Sequence, residues 1–341
     1  MLLKVGENPT CELKNMHVSD FASMCLFHPV IQGDKLSVEY RPPGMDKASH
    51  QLEVPLYPSL EKLEKVNINM HHSPTRGYNM GEQYNKWFSE RFGFKVIFAF
   101  WGENPRLVMG NRPGRLATEV PRPKSSAINL LRYIPVIGSK LLGTDAVIAF
   151  NDCAPYLIIT EKSGEDASSR LPDGVSMDLT KFRANIVVQG SPTAYDEDFW
   201  GELRFGTGTS IILTANCARC NSLNVDYETG KSGTGKAGQF LKLLAKDRRV
   251  DPGTKYSPVF GRYGFVGKRD EGKLLKVGDE VVVSHRNEER TRFCKLAISL
   301  LGLLFQRYRE LGDHLLIIFR LAGSLNLRIQ ITILISTSLV T

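Results

Sequence analysis

Short strand-like segments separated by turn residues are the feature that most restricts the fold of this 341-residue chain. Runs of four to eight apolar and β-branched residues bounded by Gly, Pro, Asp or Asn predict β-strands. In the first half we expect strands in "FASMCLFHPV", "DKLSVEY", "HQLEVPL" and "FKVIFAF". In the second half we expect them in "DAVIAF", "YLIITE", "RANIVVQG", "SIILTAN" and "KLLKVGDEVVV". The sequence therefore predicts an α+β, mainly β, protein, with a β-barrel or curved mixed sheet in its second half.

Helices are expected at fewer places. In "MGEQYNKWFSERFG", Met80, Tyr84, Trp87, Phe88 and Phe92 recur at helical spacing, and the glycine that follows Phe92 is well placed to end the helix. We also expect a helix after "YLIITE", a second in "DEDFWGELRF" and a short one in "SAINLLRY".

Changes of composition divide the chain into four parts. We predict one domain over 1–125, a connection rich in Pro and Gly over 126–144, a second domain over 145–285 and a hydrophobic tail over 286–341. Arginines interrupt the tail, so that its uncharged runs fall short of the ~20 residues that a membrane helix needs. The tail could be an amphipathic surface helix, a frayed apolar end or translated non-coding sequence. If it is genuine, we expect it to cause membrane association or aggregation.

Charge and cysteine usage exclude two classes of protein. The net charge is +8, but half of it lies in 286–341, and no basic block interleaved with aromatic residues is visible. Nucleic acid is therefore not an expected partner. The six cysteines are irregularly spaced, and the start "MLLKVGENPT" lacks the pattern of a secretory signal. We expect reduced thiols and an intracellular protein.

Two motif-like segments carry no expected chemistry. "GKSGTGKAG" has the glycine spacing of a phosphate-binding loop, but Ala237 stands where that loop needs Ser or Thr, and no buried strand precedes it. His71 and His72 are neighbours, which point to opposite faces of a strand and make a poor chelate. We interpret these segments as a surface loop and as ordinary polar residues before a helix.

The pair Cys217 and Cys220 leaves several possibilities open. No second cysteine pair or nearby histidine completes a zinc site, and no helical pattern follows to support a redox dithiol. A single functional thiolate at the end of a strand remains, beside the alternative of two partly buried structural thiols. Arg219 adjoins Cys220 and is expected to favour its ionised, metal-binding form.

The surrounding segment "NCARCNSLNVDYETGK" resembles the CxRC segment of MOSC domains, in particular those of the amidoxime-reducing branch and its fungal relatives. The resemblance continues in order through "FNDCAPYLIITE", "FRANIVVQG", "DEDFWGELRFG", "YSPVFGRYG" and "LKVGDEV". "HHSPTRGYNMGEQYNKWFSERFG" resembles part of the N-terminal β-barrel domain that precedes MOSC, so the similarity covers about 1–286. It implies a partial N-terminal β-barrel followed by a MOSC β-barrel with inserted helices.

The resemblance also assigns roles in a molybdenum cofactor site. It implies that Cys220 is the metal ligand, that Cys217 is a neighbour, and that Asp152 is a catalytic carboxylate that delivers protons. A second set of residues would hold the pterin: backbone N–H groups of Cys153 and Ala154, the guanidinium groups of Arg183 and Arg219, and Asn185, which we expect on the same strand face as Arg183.

By the same resemblance, the chain would be a molybdenum-dependent oxidoreductase that reduces small N-hydroxylated substrates. Its electrons would come from a b-type cytochrome and an NADH-dependent reductase, at a mitochondrial or membrane-associated location. Early Lys and Arg motifs of the family are absent from these residues, so we expect a shortened N-terminus. Two alternatives stay open: a sulfur-carrier or cofactor-maturation role through a cysteine persulfide, and a non-catalytic remnant.

Overall fold

Strands dominate the computed structural model, which describes residues 1–7, 12–44, 51–71, 73–102, 104, 106–108, 110–113, 147–172 and 174–293. All of these residues fall within the compact unit Met1–Leu296. The expected helix in "SAINLLRY", the connection over 126–144 and the tail beyond 293 lie outside the described residues. The four predicted domain boundaries therefore stay predictions. Within the described residues, no helix has both the length and the apolar character needed to cross a membrane.

The first part of the chain contains β1 Leu2–Val5, β2 Leu13–Asn15, β3 Phe27–Gln32, β4 Lys35–Tyr40, β5 Gln51–Pro55, β6 Lys65–Met70, β7 Ser73–Asn79, α1 Glu82–Phe92, β8 Val96–Phe100 and β9 Arg106–Leu107. The second part contains β10 Val147–Ile148, β11 Tyr156–Thr160, α2 Glu161–Ser169, β12 Ile186–Val188, β13 Trp200–Phe205, β14 Ser210–Ala218, β15 Val225–Asp226, β16 Lys231–Ser232, α3 Phe240–Leu244, β17 Val259–Val266 and β18 Val281–Arg286. Short 3₁₀ helices cover Ala22–Leu26, Leu179–Phe182, Asp196–Phe199, Asn221–Asn224, Ala237–Gln239, Pro252–Thr254 and Lys268–Asp270. The α+β, mainly β, fold class is confirmed.

Two sheets and one helix organise the first part. A five-stranded sheet has the order β2-β1-β8-β7-β6, and a second sheet has the order β3-β4-β5. Helix α1 contacts both sheets through Phe88, which is 2% exposed and whose ring lies near Phe27 of β3 and Phe98 of β8. The helix ends at Gly93, whose φ of 76° is the left-handed conformation that glycine adopts without strain. The predicted helix and its terminating glycine are confirmed.

A six-stranded sheet with the order β12-β11-β17-β14-β13-β18 forms the second part. Its central strands β14 and β17 are buried over most of their length, and apolar clusters cover both faces of the sheet. Gly261 in β17 has a φ of 82°, and a side chain there would lie 2.8 Å from the carbonyl oxygen of Ile158. Strands β17 and β11 can therefore approach closely only with glycine at this position.

Three predictions of secondary structure need correction. "DEDFWGELRF" is a 3₁₀ helix over Asp196–Phe199 followed by strand β13, because pairing with both β14 and β18 and burial of Trp200 outweigh the helical pattern. "FASMCLFHPV" begins with a 3₁₀ helix, and only its end joins β3. In "KLLKVGDEVVV" only the last three residues are in a strand.

Candidate cofactor site

Cys220 lies two residues beyond the end of β14. The pairing of β14 with β17 shifts register between Leu213 and Ala215 and again between Asn216 and Ala218. Such bulges bend a strand and re-aim the residues that follow. The local sequence thus places Cys220 in an extended conformation outside the sheet, just before the 3₁₀ helix Asn221–Asn224.

A buried arginine satisfies the backbone and side-chain groups around these bulges. Arg262 is fully buried in β17 and donates hydrogen bonds to the carbonyl oxygen of Leu213 at 3.2 Å and to Asn216 Oδ1 at 2.8 Å. It also donates to the carbonyl oxygen of Trp200 at 2.9 Å. Burial lowers the pKa of Arg262 to about 10, so the guanidinium stays charged at neutral pH. The end of β14 is therefore held by a rigid core.

The two cysteines of the CxxC pair occupy different environments. Cys217 is 3% exposed, and its Sγ lies 3.1 Å from the hydroxyl of Tyr263. Cys220 is exposed, and its Sγ lies 3.2 Å from Ser222 Oγ. Only the Cys220 thiol of this pair is accessible to a ligand from outside, which fits the role expected for it and the neighbouring role expected for Cys217.

The guanidinium of Arg219 forms its hydrogen bonds with Cys217 and with a neighbouring turn. Its side chain is 8% exposed, and Nη1 donates to Sγ of Cys217 at 3.1 Å. Neighbouring side chains of an extended segment point in opposite directions, so the guanidinium faces the buried cysteine and the Cys220 thiol faces outward. The role expected for Arg219 beside Cys220 therefore stays a prediction, and the direct hydrogen bond of its guanidinium is to Cys217.

The other end of the Arg219 guanidinium supports a turn. Nη2 donates to the carbonyl oxygens of Phe182 at 2.9 Å and of Lys181 at 3.5 Å. Phe182 is buried and stacks on Phe260 with ring centroids 3.9 Å apart. The next residue, Arg183, has a φ of 57°, which ends the 3₁₀ helix and turns the chain toward β12. Arg219 therefore links the Cys220 segment to the turn that presents Arg183.

Asp152 lies between two basic side chains. Arg183 Nη1 is 3.7 Å from Oδ2, and His71 Nε2 is 3.4 Å from Oδ1. Burial would raise the pKa of Asp152, but the hydrogen bond from His71 and the charges of Arg183, His71 and His17 outweigh it and lower the pKa to about 2. The carboxylate is therefore ionised at neutral pH.

Cys153 and Ala154 form the turn that leads from Asp152 into β11. Ala154 is 6% exposed, and no hydrogen-bond acceptor for either N–H group lies among the described residues. Burial raises the pKa of Cys153 to about 11, and the nearby Cys217 and Asp152 act in the same direction. Cys153 is therefore a neutral thiol at physiological pH, and the two backbone donors are available to an anion.

Asn185 is placed differently from the expectation. Arg183 belongs to a left-handed turn rather than to a strand, and β12 begins only at Ile186, so the prediction that Arg183 and Asn185 share a strand face is wrong. The Oδ1 atom of Asn185 accepts a hydrogen bond from the N–H of Leu157 at 2.8 Å, and its own N–H donates to the Leu157 carbonyl at 2.9 Å. Asn185 thus completes the start of the β11–β12 pairing.

Two residues of the site were missed from the sequence. His71 contacts Asp152 although 81 positions separate them, and Arg106 donates from buried guanidinium nitrogens to the carbonyl oxygens of Ala149 at 2.9 Å and of Asp152 at 3.1 Å. A charged residue within the short apolar run "RLV" was the only sequence signal for Arg106. For His71 the doubled histidine was visible, but its partner was not.

The donor set suits a metal that brings organic ligands of its own. Cys220 offers one accessible thiol, and Arg183 together with the N–H groups of Cys153 and Ala154 offers positive charge and donors to an anion. Among the residues that the structure describes, no group of three or more His, Cys, Asp and Glu side chains is arranged to hold a metal ion. These residues fit a thiolate-bound metal carried by an anionic pterin.

Comparison with known families bears directly on this site. Residues 145–282 match the family model of the MOSC domain, and this range contains Asp152, Arg183 and Cys220. The chain contains a MOSC domain. The bulged end of β14, the Arg183 turn and five of the six strands of the sheet lie within the matched range, and β18 begins at its end.

Curated relatives share the MOSC domain at modest identity. Mitochondrial amidoxime-reducing component 1 of Homo sapiens is 36% identical over 138 residues, which is 39% of this chain and 38% of the relative. The protein of that name from Danio rerio is 28% identical over 231 residues, 68% of this chain and 60% of the relative. Molybdenum cofactor sulfurase of Emericella nidulans is 34% identical over 116 residues, 31% of this chain and 13% of the relative. The chain thus spans less than two thirds of each of them.

Proposed function

We propose that this MOSC protein binds molybdenum cofactor through Cys220 and is an oxidoreductase that reduces N-hydroxylated compounds. The observation that carries the proposal is the connection of an exposed thiol, Cys220, through Arg219 to the turn that presents Arg183 to Asp152. The names of the amidoxime-reducing relatives supply the reaction class. A location in mitochondria and a supply of electrons from a b-type cytochrome and its NADH-dependent reductase are further parts of the proposal.

The residues of the site would have three roles: metal binding, pterin binding and proton delivery to the substrate. The Cys220 thiolate would hold the metal, whose bound form supplies the two-electron chemistry. Arg183 and the N–H groups of Cys153 and Ala154 would grip the anionic part of the pterin, because charge-assisted hydrogen bonds bind such groups strongly. Asp152 would orient the substrate and direct a proton toward the departing hydroxyl group. Arg219 would act as a positioning residue for Arg183.

The proposal is tested by loading the protein with cofactor and measuring reduction of an aryl amidoxime to the amidine, with a chemical one-electron donor. Wild type and Cys217→Ser are expected to reduce the substrate, and Cys220→Ser is expected to lose all activity above background. Cys217→Ser is the matched control because it changes the other cysteine of the same motif. Loaded wild-type protein without reductase activity would refute the proposal.

A sulfur-carrier role is the second candidate, because the exposed Cys220 thiol could hold a persulfide and one relative is named a molybdenum cofactor sulfurase. Cyanide releases persulfide sulfur as thiocyanate. Thiocyanate from wild type but not from Cys220→Ser, in protein without bound metal, would favour this role over the reductase. A chain that yields neither metal nor thiocyanate would be a non-catalytic remnant.

A further inference from the structure

The turn between β6 and β7 carries a histidine toward the candidate site. Burial alternates along β6, and the two strands pair from Lys65 opposite Tyr78 to Met70 opposite Ser73, which fixes the register of the hairpin. His71, at its tip, has a φ of 53°, a left-handed conformation that few residues other than glycine adopt. This conformation places Nε2 within 3.4 Å of an Asp152 carboxylate oxygen.

Arg106 fixes the approach of the hairpin to Asp152. It is 1% exposed, and Nη1 donates to the carbonyl oxygen of Met70, the residue before His71, at 3.4 Å. The same guanidinium bonds the carbonyl oxygens of Asn151 and Asp152. One buried cation thus holds both the end of β6 and the segment that carries Asp152. Arg106 therefore fixes the backbone on both sides of the contact between His71 and Asp152.

A second histidine stacks on the first. The rings of His17 and His71 lie 5.3 Å apart at an interplanar angle of 27°. Burial lowers the pKa of His17, the charge of His71 lowers it further, and the charges of Asp152 and Asp20 oppose these effects. The stacked rings thus interact electrostatically, so a change at His71 should be visible in the titration of His17.

Charged groups flank the histidine pair on two sides. On the MOSC side are Asp152 and Arg183, which is 3.7 Å from the other carboxylate oxygen. On the opposite side Asp20 lies near His17 and is already paired with Lys14 at 2.9 Å. Of the two histidines, only His71 is in hydrogen-bond contact with the carboxylate of Asp152 among the described residues.

His17 also gives the pair access to water. It lines an open groove of about 660 Å³ together with Lys4, Lys14, Asn15 and Asn69. His71 and Asp152 are 45% and 40% exposed at their side chains. A proton released from the pair can therefore be replaced from solvent.

We propose that His71, with His17 stacked against it, is the proton store for Asp152 during the reduction of an N-hydroxylated substrate. The inference rests on the proposed function. Reduction of R–NH–OH to R–NH₂ and water breaks the N–O bond and consumes two electrons, from a reduced electron-transfer protein, and two protons. Each proton would leave Nε2 of His71 along its hydrogen bond to Oδ1 of Asp152 and pass on to the substrate, and neutral imidazole would then take up another from solvent. Because the carboxylate of Asp152 is ionised at neutral pH, it carries no proton to donate. It therefore needs a neighbouring proton donor such as His71.

The test compares His71→Gln, whose amide can still donate to Asp152 but cannot hold a proton, with wild type at equal molybdenum content. We expect kcat to fall by roughly 100-fold with KM within about twofold, and the decrease in kcat at alkaline pH that we expect of wild type to be absent from the variant. Added imidazole should restore part of the activity of His71→Ala. His28→Gln, a histidine change on β3 outside the site, should match wild type.

Nuclear magnetic resonance of the His17 ring gives a readout that needs no cofactor. We expect His71→Gln to raise the pKa of His17 and Asp152→Asn to lower it, because these neighbours act on it in opposite directions. An unchanged kcat and pH profile in His71→Gln, or no change in the titration of His17, would overturn the inference alone. A loaded wild-type protein that reduces nothing would overturn the proposed function with it.

Discussion

Two carboxylates of the MOSC domain, Asp198 and Asp152, each have basic partners but serve different ends. Asp198 is fully buried, and both of its oxygens accept hydrogen bonds from Arg248, at 2.9 and 2.8 Å, while Arg290 adds a third at 2.8 Å. Asp152 is 40% exposed at its side chain, and its partners Arg183 and His71 are 3.7 and 3.4 Å away. We call Asp198, Arg248 and Arg290 the closed group, because the carboxylate oxygens are occupied by hydrogen bonds within it. We call Asp152, Arg183 and His71 the open group, because its longer contacts leave hydrogen-bonding capacity for a ligand.

The surroundings strengthen this contrast. Arg248 is 4% exposed at its side chain and lies over the ring of Tyr195, 3.7 Å from its centroid. Arg183 is 63% exposed and is held through its backbone turn rather than through its guanidinium. Burial makes a charged pair costly to break, and exposure makes it cheap to rearrange. The geometry of the pair, rather than its residue types, thus separates a structural group from a candidate binding group.

The largest expected effect is on the closed group. Asp198→Asn leaves Arg248 and Arg290 without their carboxylate partner, and we expect the free energy of unfolding to fall by about 3 to 5 kcal/mol. Equilibrium unfolding in urea measures this loss. Asp152→Asn is the matched control in the open group, and an equal loss in both variants would remove the distinction between them.

Substitutions in the open group should reduce catalytic activity more than stability. Asp152→Asn and Arg183→Gln are expected to lower the free energy of unfolding by no more than about 2 kcal/mol, less than the loss in Asp198→Asn. In cofactor-loaded protein, the same changes should reduce kcat/KM for an amidoxime by at least about tenfold, because the carboxylate and the guanidinium face the reaction site. Steady-state kinetics and urea unfolding on the same preparations measure both quantities. Full activity in either variant would contradict the assignment of the group to the site.

The smallest expected effect is the pH dependence of the stability that Asp152 contributes. Because the folded-state pKa of Asp152 is lowered from 3.8 to about 2, its ionised form stabilises the fold above the ordinary pKa, and this contribution is lost as the pH falls toward 2. The stability difference between wild type and Asp152→Asn should therefore be constant from pH 7 to about 5 and shrink below that. Thermal unfolding at pH 7, 5, 4 and 3 measures it. A difference that grows on acidification would show the opposite shift in pKa.

The local residue pattern correctly predicted the elements whose buried residues recur at the spacing of a helix or form a continuous apolar run. Helix α1 follows from the spacing of its aromatic residues and from Gly93, and β11 and β14 follow from continuous apolar runs. The segment Asp196–Phe205 was mistaken for a helix because its pairing partners on β14 and β18 are distant in the sequence. Long-range pairing outweighed the local preference there.

The candidate site was predictable as a set of residues but not as an arrangement. The spacing of Cys217 and Cys220 and the MOSC resemblance indicated which residues to consider. The direction of the Arg219 side chain depends on two bulges in β14, and no sequence pattern predicts these bulges. The contact of His71 with Asp152 depends on a hairpin tip and a buried arginine from other segments. Such contacts between distant segments follow only from the folded structure.

The molybdenum content of purified protein tests the central claim most directly, and it is measured by elemental analysis on wild type, Cys220→Ser and Cys217→Ser. The two variants change the sulfur of one motif at an exposed and at a buried position. We predict close to one molybdenum per chain in wild type and Cys217→Ser, and almost none in Cys220→Ser. Molybdenum retained in Cys220→Ser, or absent from all three proteins, would contradict the assignment of Cys220 as the metal ligand.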